Sequence, residues 1–194
     1  MPLDQNLAIA AQAVAVARTY IRGSANRISD RIAAAGGIEA IIEARTGKCM
    51  KLTDDLNTSR AKIFPTLVDN PEVDTTKIAN GAIASGVGNC HELAAVAFEW
   101  LRLSNVTPID LMKFTAQGYD HVWVVIGRVN QSDMTNLRSW GPDAVWCDPW
   151  QGDNGVAFGI RSFVRGEVRN LNWIYKCNTV ERVEAGIPGV ITRS

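Results

Sequence analysis

The hydrophobic pattern changes character about halfway along the chain. Residues 3–46 are rich in Ala and Ile and are punctuated by Gly23, Gly36 and Gly37. That composition predicts two or three helices, the last over 38–45 and stopped by Gly47. Residues 53–88 are more polar and carry Pro65, Pro71 and Asn80-Gly81. They read as a connection with room for one helix, running toward Gly86-Val87-Gly88. From His91 to Leu103 apolar residues cover most faces of a helical wheel, so this helix should be buried. Beyond Pro108 the pattern becomes that of strands. Candidates are 109–114, 121–129, 144–148 and 171–177, with a turn at 139–142 and a loop at 151–155. Helices first and strands later imply an α+β fold with a largely antiparallel sheet.

The 194 residues suffice for one domain with a substantial core. The expected division is an N-terminal helical region and connection (1–83), a core (84–177) and a C-terminal tail (178–194). Hydrophobic content of 46% and charged content of 21% are ordinary for a globular chain. Twenty basic and twenty acidic residues cancel, which argues against electrostatic capture of nucleic acid or anionic membrane. No apolar run approaches the roughly 20 residues of a bilayer span. Residues 7–17 have some signal-peptide character. The preceding Met1-Pro2-Leu3-Asp4-Gln5-Asn6 lacks a positive leader and Gln12 interrupts the run, so an Ala-rich helix is expected rather than a cleavable signal. Cys49, Cys90, Cys147 and Cys177 match no CxxC spacing and are too sparse for a disulfide scaffold. With only His91 and His121 as imidazoles, no metal site is expected, and no other cofactor is implied.

Three short stretches carry candidate chemistry: Gly88-Asn89-Cys90-His91-Glu92-Leu93, Asp120-His121-Val122-Trp123 and Trp146-Cys147-Asp148-Pro149-Trp150. A lone cysteine is more often a buried structural residue than a nucleophile. Cys90 differs because a glycine-containing loop leads into it and a helix starts at or just after it. A helix N-terminus lowers a thiol pKa, and its unbonded N–H groups can hold an oxyanion. His121 opens a strand and is the candidate base. His91 adjoins Cys90 on the same helix, where successive side chains diverge by about 100°, so its ring should turn away from the thiol. Asp148 is the candidate orienting carboxylate. Strand alternation puts Trp146 and Asp148 on one face and Val145 and Cys147 on the other. Asp120, Asp143, Asp133 and Asp153 read as solvated turn residues, and Glu92 as a first-turn acid favoured by the helix dipole. Trp146 reads as core, whereas Trp123 and Trp150 could wall the site.

Together these stretches resemble the catalytic core of the transglutaminase-like, papain-fold superfamily over about residues 84–152. The resemblance implies a central buried helix packed on an antiparallel sheet, with the N-terminal helices as an addition. It carries the roles of nucleophile, base and orienting residue onto Cys90, His121 and Asp148. The stretch 121–128 followed by Cys147-Asp148-Pro149-Trp150 looks closest to bacterial papain-fold toxin and effector domains. That likeness implies a secreted effector acting in a target cell on a host protein, typically as a glutamine deamidase. A papain-like protease, a transglutaminase and a catalytically inactive adaptor are the alternatives. Papain-like proteases place an upstream glutamine in the oxyanion hole, and this chain has none between Gln12 and Gln117. The Cys90 N–H would then act with another donor, for which Asn89 and Asn80 are the side-chain candidates. The missing glutamine favours the deamidase and transglutaminase branch.

Overall fold

The computed structural model describes residues 1–24, 58, 74–116, 119–134, 136–151, 154–160, 177–184 and 191–193. The expected helix at 38–45, Cys49 and most of the expected strand at 171–177 lie outside them. Three α-helices of more than one turn are described: α1 (Leu3–Tyr20), α2 (Thr75–Ser85) and α3 (Cys90–Leu103). The strands are β1 (Ile109–Ala116), β2 (Tyr119–Ile126), β3 (Val145–Asp148), β4 (Val156–Gly159), β5 (Cys177–Val183) and β6 (Ile191–Arg193). All pairings are antiparallel, in the order β4-β3-β2-β1-β5-β6. The α+β expectation therefore holds at the level of class.

Alternation along the strands assigns two different cores. Ile109 and Leu111 of β1, Val122, Val124 and Ile126 of β2, and Val145 and Cys147 of β3 face the helices. They meet Leu93, Val96, Ala97 and Leu101 of α3, and Ala10, Ala13 and Ala17 of α1. The alanines let α1 lie close to its neighbours. The larger α3 side chains each stabilise the fold by about 1.5–3 kcal/mol on full burial. The opposite face carries Met112, Phe114, Trp123, Val125 and Trp146. It is covered by the β2–β3 connection, whose Trp140 is fully buried.

That connection starts one residue after β2. Its expected strand to Val129 ends at Ile126 because Gly127 adopts φ +75 and turns the chain, donating its N–H to the Pro108 carbonyl at 2.8 Å. Arg128 then folds back over the sheet. It forms a two-pronged pair with Asp110 (2.7 and 3.1 Å), and Arg182 of β5 binds the same carboxylate at 2.6 Å. All three groups are buried. Residues 178–183, expected in a tail, thus belong to a strand hydrogen-bonded to β1. Their polar pattern hid them: Glu181 is buried because Thr75 donates to it at 2.5 Å, and Arg182 because Asp110 receives it. Strand β4 also went unanticipated, being four residues just beyond a glycine-rich loop. Among the described residues, no helix is long and apolar enough to cross a membrane.

Candidate active site

Cys90 is the first residue of α3. The approach is fixed by backbone hydrogen bonds to the segment after α1: Arg22 N–H to Gly86 O and Gly88 N–H to Gly23 O, both 3.0 Å. Asn89 caps the helix. Its backbone N–H donates to the Glu92 carboxylate at 2.9 Å, and its side chain faces the N–H of Glu92, forming a capping box. This explains why residue 88 is glycine, since a Cβ there would lie 2.6 Å from Glu92 Cβ. Glu92 therefore serves the cap directly, beyond the dipole role expected for it. The box uses the third N–H of the helix. The first, that of Cys90, has no hydrogen-bond acceptor among the described residues.

His121 and Asp148 reach the cysteine from the sheet. Their Nε2 and Oδ2 atoms are 2.6 Å apart. Asp148 is fully buried, and its Oδ1 accepts the backbone N–H groups of Trp150 (3.0 Å) and Gln151 (3.1 Å). The carboxylate is thus held at both oxygens. The Cys90 thiol lies near enough to the imidazole to favour its charged form. Burial of the ring disfavours its charge. The hydrogen bonds to Asp148 and Cys90 and their negative charge outweigh that burial, raising the imidazole pKa from 6.5 to about 10. At neutral pH the imidazole beside the thiol is therefore protonated.

Tryptophans close two sides of the imidazole. Trp123 is fully buried and stacks on it, with ring centroids 5.7 Å apart and planes at 15°. Trp150 is half-buried and tilted over it at 5.3 Å. Trp146 stacks behind Trp123 at 4.4 Å and belongs to the core, as expected.

The three residues singled out in sequence are therefore brought together, and both proposed wall residues touch the histidine. Asn89 adjoins the site, with its side chain engaged in the cap and with Ser24. Asn80 is not brought in: it is exposed on α2, roughly 9 Å along the helix axis from Gly86 at 1.5 Å per residue. Cys147 faces the helical layer, donating toward the Ala10 carbonyl at 3.6 Å, and burial pushes its thiol pKa up. Burial also raises the Cys177 thiol, to about 11. Asp133 is exposed as expected; Asp120 is exposed too but lies in β2 rather than in a turn. Asp143 differs: its carboxylate accepts the first N–H of α1 from Leu3 at 3.1 Å. Asp153 lies outside the described residues. Sequence reasoning missed Ser24. This fully buried hydroxyl donates to Asn89 Oδ1 at 3.1 Å and accepts the Trp150 indole N–H at 3.2 Å. No local signal distinguishes it from a loop serine.

Comparison with protein-family models, with curated proteins and with solved structures finds no match.

Proposed function

We propose that this chain is a thiol-dependent enzyme that attacks a protein side-chain amide, with Cys90 as nucleophile, His121 as acid and base and Asp148 as the residue orienting the imidazole. The observation that carries the reading is the convergence of the Cys90 thiol, at a helix N-terminus, on a His121 that is hydrogen-bonded to a fully buried Asp148. A carboxylate that merely balanced a surface histidine would not need burial or two backbone donors. The stacked tryptophans add support, because they limit water around a charge pair.

In this reading the Cys90 thiolate adds to the amide carbon, and the Cys90 N–H faces the developing oxyanion. The imidazolium gives its proton to the departing nitrogen, which leaves as ammonia, and a thioester remains. His121 then takes a proton from water as the water oxygen attacks the thioester. The thiolate is released with a carboxyl group in place of the amide. The preference for glutamine deamidation over peptide cleavage or cross-linking rests on the resemblance to bacterial papain-fold effectors and on the missing upstream glutamine. The same resemblance supports a secreted effector working on a host protein inside a target cell.

The test is incubation of candidate target proteins with the native chain and with Cys90→Ala, followed by intact mass and ammonia assay. Deamidation adds about one dalton per site, releases ammonia without an added amine and disappears in the variant. Cleaved target chains would sink the deamidase assignment, and so would ammonia release that requires an amine acceptor.

A further inference from the structure

We propose that Ser24 is a positioning residue that sets the spacing of the Cys90–His121 pair. It does so by hydrogen-bonding Asn89 on the nucleophile side and Trp150 on the base side. The inference rests on the thiol-enzyme reading above. Ser24 lies far in sequence from every motif of the site, yet it is fully buried and hydrogen-bonded to both Asn89 and Trp150. Its hydroxyl proton goes to Asn89 Oδ1 at 3.1 Å, and Asn89 caps the helix that Cys90 opens. Its oxygen accepts the Trp150 indole N–H at 3.2 Å.

Trp150 is tied to the base twice over. Its ring lies tilted over His121 at 5.3 Å, and its backbone N–H binds Asp148 Oδ1 at 3.0 Å. One hydroxyl therefore bridges the cap of the nucleophile helix and the cover of the imidazole. The serine is itself held in place. Its predecessor Gly23 forms a parallel bridge with Val87, and the Gly23 carbonyl accepts the Gly88 N–H. A hydroxyl that only satisfied a buried cap would need Asn89 alone. The second bond, to an indole that covers the base, is what a spacing role requires.

Loss of the bridge should let the Trp150 ring and the capping loop relax independently. The Cys90 thiol and the His121 ring are then no longer held at one spacing, and alkylation of Cys90 at low pH slows. The experiment follows iodoacetamide alkylation of Cys90 by peptide mass spectrometry from pH 5 to 9, in the full chain and in Ser24→Ala and Ser24→Thr. It needs no substrate. Urea unfolding of each variant, with alkylation compared under conditions where all are folded, separates spacing from stability. Expected is a roughly tenfold slower alkylation at pH 6 in Ser24→Ala, with its midpoint moved to higher pH. Ser24→Thr, which keeps the hydroxyl, should recover to within about threefold of the native rate. An unchanged pH profile in Ser24→Ala overturns the positioning role while leaving the thiol-enzyme reading intact, and failure of threonine to rescue also overturns it. A native Cys90 with no enhanced reactivity at pH 6 overturns the thiolate reading, and the proposal with it.

Discussion

Replacing Asp148 by asparagine should collapse the raised pKa of His121. The substitution keeps the shape and an acceptor oxygen but removes the charge. In the native chain the imidazole stands about 3.5 units above its ordinary value, rising from 6.5 to about 10, which is roughly 5 kcal/mol of preference for the charged form. That preference is net of burial, which opposes the charge and persists in the variant. An opposite charge in contact accounts for about 1–3 units. Titration of the thiol is coupled to that of the ring, so the clean comparison is Cys90→Ala against Cys90→Ala/Asp148→Asn. The expected fall is about 2–3 units, or roughly 3–4 kcal/mol. Imidazole carbon chemical shifts followed by NMR report it directly. His91→Gln assigns the signals, because His91 is the chain's other histidine. The sign also fixes a stability signature. A pKa raised on folding stabilises the protein fully below the unfolded value near 6.5, and that stabilisation is lost as pH rises through about 10. Asp148→Asn should therefore cost more stability by urea unfolding at pH 6 than at pH 10. A fall of under about one unit, or a cost that grows with pH, would refute the ion-pair account.

Other outcomes follow from neighbouring features. At pH 6, Cys90 should be alkylated at least about tenfold faster than Cys147 and Cys177, whose thiols are buried and raised in pKa; similar labelling of all three would count against a thiolate. Trp146→Ala removes the fully buried ring stacked between Trp123 and Phe158 and should cost about 3–5 kcal/mol by denaturant unfolding. A loss near zero would mean that the stack contributes little. Asp110→Ala leaves the buried Arg128 guanidinium without its carboxylate and takes from Arg182 one of its two, the other being Glu184, and should also cost about 3–5 kcal/mol. Adding Arg128→Met and Arg182→Met should recover part of that loss; if it does not, the buried charges are not its cause.

The site was more legible than the fold around it. Cys90 and Asp148 stood out because each marks an element boundary, and boundaries leave local signals: a glycine loop before a helix, and strand alternation that fixes which way Asp148 points; His121 was expected to open a strand, but β2 starts two residues earlier, at Tyr119. Helix α3 was plain because its apolar residues cover most of its surface. The strand over residues 177–183 was not, because its charged residues look solvated until their partners are known. Glu181 is matched by Thr75 and Arg182 by Asp110, residues remote in the chain.

By itself, then, the sequence determined the class of the fold, the buried helix, and which thiol, imidazole and carboxylate to compare. Those features depend on periodicity and on neighbours along the chain. Tertiary structure alone decided that the three groups meet, that Asn80 stays exposed on α2, and that Ser24 joins Asn89 to Trp150. Those outcomes depend on hydrogen bonds between distant segments, whose energy no local pattern encodes.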